Sequence, residues 1–146
     1  MRELPRQLSA DELAELFEGH TPLTEQLSGL EDPLGHAAEV AAALSADEKR
    51  QVLDAHPAIG QRRGLSPRSA AEQGAAADPV VLEELARLNA EYERRHGFRF
   101  VVFVNRRPKA EILEVLKGRI GNPSEDELET ALHELTAIAR DRWRRG

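Results

Sequence analysis

The stretch "FRFVVFV", Phe98 to Val104, decides the fold. It is β-branched and aromatic, breaks the helical periodicity around it, and reads as extended. A lone strand cannot make a sheet. The segment is therefore expected as a buried extended piece, or a very short strand, inside an otherwise helical chain.

Helix signals lie on both sides of it. Upstream, Asp78 and Pro79 open "VVLEELARLNAEYERRHG", whose basic last turn and Gly97 make a good C-terminus. Downstream, "RPKAEILEVLKGRIGN" places Ile112, Leu113, Val115, Leu116 and Ile120 as apolar positions. "SEDELETALHELTAIARDRWRR" follows, with Ser124 and Glu127 expected as a cap and Leu128, Leu132, Leu135 and Ile138 as its core stripe. Further upstream, Ser9 and Glu12 read as a capping box with Leu8 and Leu13 as hydrophobic staple, and Ser45 with Glu48 as a second box. Thr21–Pro22 and Asp32–Pro33 each pair a capping side chain with proline at the first helical position. Leu34, Ala37, Ala38, Ala41 and Leu44 recur at helical spacing. Pro57 disfavours the α conformation at His56 and should close "SADEKRQVLDAH". "IGQRRGLSP" reads as a loop, and Ser66–Pro67 begins a helix through "RSAAEQGAAA" to near Asp78. With no internal repeat and no linker, the expected architecture is an all-α, single-domain helical bundle over residues 1–146, with one short extended segment around 98–104.

Composition narrows the function. Hydrophobic residues make up 40% and charged residues 32% of 146, which suits a soluble globular chain with a real core. A net charge of −6 argues against nucleic acid or anionic membrane as partner. No apolar run approaches membrane-spanning length. The absence of cysteine excludes disulfides, thiolate catalysis and cysteine zinc sites. The N-terminal stretch lacks an apolar signal region, so the expected compartment is the cytoplasm. None of the five histidines forms a metal-binding pair, and no phosphate loop, dinucleotide fingerprint or nucleophile elbow occurs. No metal and no cofactor is expected.

Two polar clusters remain. In "DAHPAIG", residues 54 to 60, His56 stands directly before Pro57. A histidine in a last helical turn is often explained by the dipole that favours its cation. The alternative is that Pro57 fixes the chain exit and holds an acid/base imidazole beside a loop. In "SAAEQ", Ser69, Glu72 and Gln73 share one helical face. Ser69 with Glu72 could be another capping box, yet "SP" at 66–67 is the better helix start. The small neighbours Ala70, Ala71, Gly74, Ala75 and Ala76 leave room for a group to approach, so the stripe reads as a candidate site. Near the C-terminus, Arg142 continues the stripe of Leu135, Ile138 and Ala139, where a guanidinium could reach a carboxylate or simply snorkel.

Taken in order, "HPAIG", "SAAEQ", "HGFRFVVFV", "LKGRIGN" and "ELTAIARDRW" resemble the OHCU decarboxylase family, OHCU being 2-oxo-4-hydroxy-4-carboxy-5-ureidoimidazoline. The paired HP and SxxEQ motifs at this spacing carry the resemblance, over roughly residues 44 to 146. It implies an all-α, homodimeric enzyme that converts OHCU to (S)-allantoin and carbon dioxide in urate breakdown without a cofactor. It places the catalytic histidine on His56, with its proline on Pro57, and the helix trio on Ser69, Glu72 and Gln73. The substrate arginine falls on Arg142, with Arg140 as the alternative. The substrate-facing extended segment falls on Phe100, Val101 and Val102. His56 and Glu72 are then the catalytic pair, and the other residues bind substrate. An inactive interaction domain of the same fold, or a decarboxylase of a related ureide acid, are the alternatives.

Overall fold

The computed structural model of the chain describes residues 4–57 and 78–145. Among these residues it forms seven α-helices and no strand. They are α1 Ala10–Phe17, α2 Pro22–Leu27, α3 Pro33–Ala43, α4 Ala46–Asp54, α5 Pro79–His96, α6 Lys109–Ile120 and α7 Ser124–Arg145. The helix expected from Ser66 to near Asp78 lies outside the described residues.

Helix starts follow local chemistry. Ser9 and Ser45 each accept from the backbone N–H three residues on, and Glu12 and Glu48 each reach back to the cap N–H. Thr21 makes the same reciprocal box with Thr24, ahead of Pro22. Asp32 and Asp78 accept from Gly35 and Val80, with Pro33 and Pro79 in the first turn. Gly97 ends α5 at φ 79°, in the left-handed region where a side chain would be strained.

One expected cap is overturned. Ser124 is itself the first residue of α7, and its hydroxyl meets His96 Nδ1 at 2.7 Å. The Glu127 carboxylate is fully buried and turned to Tyr92, Arg119 and Asn122 instead of the helix start.

The long α7 is the spine, packing against α1, α3, α4 and α5, while α5 and α6 pack against each other. Leu13, Phe17, Leu27, Leu34, Leu53, Leu85, Ile112 and Leu135 are buried in one continuous core cluster. Residues 98–104 run through that core without helix or strand, and Phe100, Val101 and Val102 are buried. A buried segment outside a ladder must satisfy its backbone polar groups elsewhere. Here side chains meet several of them. Asp54 accepts from Arg99 N–H, Glu134 accepts from Phe103 N–H, Arg119 donates to Val101 O, and Arg107 donates to the carbonyls of Phe103 and Val104.

Candidate functional site

His56 stands past the end of a helix, not in its last turn. α4 stops at Asp54, and His56 N–H closes a turn onto Leu53 O at 3.1 Å. The turn is clamped from outside by Arg99. Its guanidinium donates to the carbonyl of His56 at 2.5 Å and, from Nε, to Glu93 at 3.0 Å, while its own N–H donates to Asp54. The apolar segment and the His–Pro turn are thus tied together by its one charged member.

The imidazole is 4% exposed, and its Nε2 has no hydrogen-bond partner among the described residues. A buried unpaired nitrogen costs free energy, so its presence calls for an explanation. Burial pushes the His56 pKa down to about 4; the positive charges of Arg142 and Arg99 push the same way, and Glu18 opposes them. The ring is neutral at neutral pH. The dipole-stabilised cation considered from sequence is therefore not what stands here.

Arg142 is the largest side chain of the deep core, 1% exposed. It donates from one terminal nitrogen to Leu16 O at 3.0 Å and pairs from the other with Glu18 at 2.9 Å. Arg140 is tied elsewhere, donating to Leu34 O at 3.0 Å. Of the two arginines, Arg142 is the one whose charge is felt at His56. Pro57 follows His56 and is half-buried. Ser69, Glu72 and Gln73 lie outside the described residues.

Phe100, Val101 and Val102 are held by a second buried polar group. The Arg119 guanidinium lies 4.6 Å from the Phe100 ring centroid and donates to Val101 O at 2.9 Å. Glu127 binds Arg119 Nε at 2.9 Å, Tyr92 Oη at 2.6 Å and Asn122 Nδ2 at 3.0 Å. Burial works to raise the Glu127 pKa, but these three donors together hold the carboxyl below its usual value. Burial and the Glu127 carboxylate push the Tyr92 hydroxyl well above its usual value. Arg119 belongs to "RIGN", where a solvated arginine is the ordinary expectation; it is buried instead.

Sequence reasoning passed over Glu18, Arg99 and the Tyr92–Glu127–Arg119 group. Each left a trace. Arg99 is a charge inside an apolar run, and Glu18 is an acid at the C-terminal end of α1, against the dipole. Among the described residues, no cluster of three histidine, aspartate or glutamate side chains is placed to hold a metal ion. None of the described helices is long and apolar enough to cross a membrane.

The family profile described as OHCU decarboxylase matches residues 2–144. The 2-oxo-4-hydroxy-4-carboxy-5-ureidoimidazoline decarboxylase of Haloferax volcanii is 29% identical over 140 residues, spanning 88% of this chain and 83% of that protein. The uric acid degradation bifunctional protein PucL of Bacillus subtilis is 27% identical over 97% of this chain, which spans 31% of that larger protein. In fold, the chain resembles a crystal structure of OHCU decarboxylase in the presence of (S)-allantoin, with a TM-score of 0.74 at 24% identity, covering 92% of this chain and 96% of that one. With nearly its whole length matched, the chain belongs to the OHCU decarboxylase family.

Proposed function

We propose that this protein decarboxylates OHCU to (S)-allantoin and carbon dioxide in urate breakdown, without metal or coenzyme. We further propose that residues 1–146 act as one domain, and that two chains pair as a cytoplasmic homodimer. The observation that carries the reading is a buried, neutral imidazole whose Nε2 is unpaired among the described residues, set within the field of a buried arginine.

The substrate brings its own electron sink. Its carboxylate sits on a ring carbon next to a C=N bond. When the carbon–carboxylate bond breaks, the electron pair moves into that C=N and the ring nitrogen takes a proton. The 4-hydroxyl then gives its proton to His56, and the adjacent ring carbon takes one on a single face, leaving allantoin. One proton is drawn from solvent overall. A histidine held at a low pKa favours the donating half, since burial weakens the ring as a base and strengthens its cation as an acid. The neutral ring can take the hydroxyl proton, and once protonated it is a strong acid that gives the proton up to carbon. Arg142 would hold an anionic oxygen of the substrate. Glu72 and Gln73 would meet the ureido and ring N–H and C=O groups, Glu72 would crowd the departing carboxylate, and Ser69 would add a hydrogen bond. Pro57, Phe100, Val101 and Val102 would shape the pocket.

The test is incubation of chelator-dialysed protein with freshly made OHCU, following its loss and the chirality of the allantoin. Accumulation of (S)-allantoin faster than the spontaneous reaction is expected. Racemic product at the spontaneous rate would overturn the activity. Loss of turnover on chelation, restored by a single metal ion, would overturn the cofactor-free chemistry.

A further inference from the structure

Three locally unfavourable features coincide at Glu18. Its backbone lies at φ 64°, in the left-handed region that a glutamate side chain disfavours, with Gly19 after it also at positive φ. It is an acid at a helix C-terminus, and α1 has no basic residue in its last turn. Its side chain is only 10% exposed, so the carboxylate is largely removed from water. Each feature disfavours glutamate here, and such violations of local preference gather at functional positions.

The compensating contact is Arg142. Glu18 Oε1 accepts from one terminal nitrogen at 2.9 Å, and the Leu16 carbonyl accepts from the other at 3.0 Å. The C-terminal end of α1 thus grips the guanidinium at two points. A guanidinium is planar and rigid, so two points define its orientation.

We propose that Glu18 is a positioning residue for the reaction: it sets where the Arg142 guanidinium stands relative to His56, and thereby relative to the substrate anion. This rests on the assignment of His56 and Arg142 to the site under the function proposed above.

Two variants separate positioning from simple neutralisation of a buried charge. Glu18→Asp keeps the charge and shortens the reach by one methylene. Glu18→Gln keeps the reach and an acceptor oxygen and removes the charge. A residue that only neutralises Arg142 is replaced better by aspartate; a residue that positions it is replaced better by glutamine. Glu18→Asp should lower kcat roughly 10- to 100-fold with KM changed less than about threefold, because a misplacement of about 1 Å costs on that order. Glu18→Gln should lower kcat by less than about tenfold while melting at a lower temperature, since a buried arginine loses the opposite charge that Glu18 supplies. On the same samples without substrate, the ¹⁵N NMR signals of Arg142 Nε and of the His56 ring should move in Glu18→Asp. Unmoved signals, or wild-type kcat in Glu18→Asp, would overturn the positioning role. A wild-type chain that leaves OHCU untouched, with signals that still move in Glu18→Asp, would instead sink the proposed reaction while upholding the hold of Glu18 on Arg142.

Discussion

His56 experiences opposed influences of unequal size. Burial acts first, Arg142 and Arg99 add to it, and Glu18 opposes them, leaving a pKa of about 4. The unfolded chain, with an ordinary histidine near 6.5, therefore binds the extra proton first as pH falls. The stability contributed by the neutral ring is complete above pH 6.5 and is lost as pH falls toward 4. Its full size is about 3 kcal/mol, of which about 2 kcal/mol disappears between pH 7 and 5. His56→Asn should flatten that part of the melting-temperature profile. It should also cut turnover by roughly 10²- to 10⁴-fold in a protein that remains folded. In the wild-type chain the acid limb of kcat/KM should fall near pH 4. A limb at the ordinary histidine value, or near-normal turnover in His56→Asn, would return the ring to a packing role.

At the scale of elements, one four-residue pattern has two outcomes. Ser9 with Glu12, and Ser45 with Glu48, are capping boxes. Ser124 with Glu127 has the same spelling and is not one, because Glu127 is drawn to Arg119, Tyr92 and Asn122. A cap contributes about 1 kcal/mol, whereas a buried arginine left without its carboxylate costs about 3–5 kcal/mol. The demand of the buried arginine is the stronger, and it decides the Glu127 rotamer. The spelling recurs at Ser69 and Glu72, and Glu72→Gln distinguishes the two fates there. In a capping box glutamine reaches the cap N–H as glutamate does, so stability and turnover would both hold. If Glu72 meets the substrate, turnover should fall sharply while the melting temperature stays or rises, since functional residues rarely sit at their stability optimum. Turnover and melting measured on one preparation decide it; normal turnover would reduce the site to His56 and an arginine.

At the scale of the molecule, α7 joins the parts by packing on α1, α3, α4 and α5. Sedimentation at micromolar concentration should show a particle of twice the 16.2 kDa chain mass, and a monomer alone would contradict the proposed homodimer. The helical class, the starts of α1 to α5 and the buried character of residues 98–104 were legible in the sequence by itself. Caps, prolines and apolar spacing act within about four residues, and that range is visible in a string. Pairing of buried charges was not legible. Arg142 reaches the Leu16 carbonyl across 126 positions, Arg99 reaches the His56 carbonyl across 43, and Tyr92 reaches Glu127 across 35. Any acid or carbonyl in the chain could in principle have answered those donors. Burial demands that each charge be met, but only the packing of α1, α4 and the 98–104 segment around α7 determines by which partner.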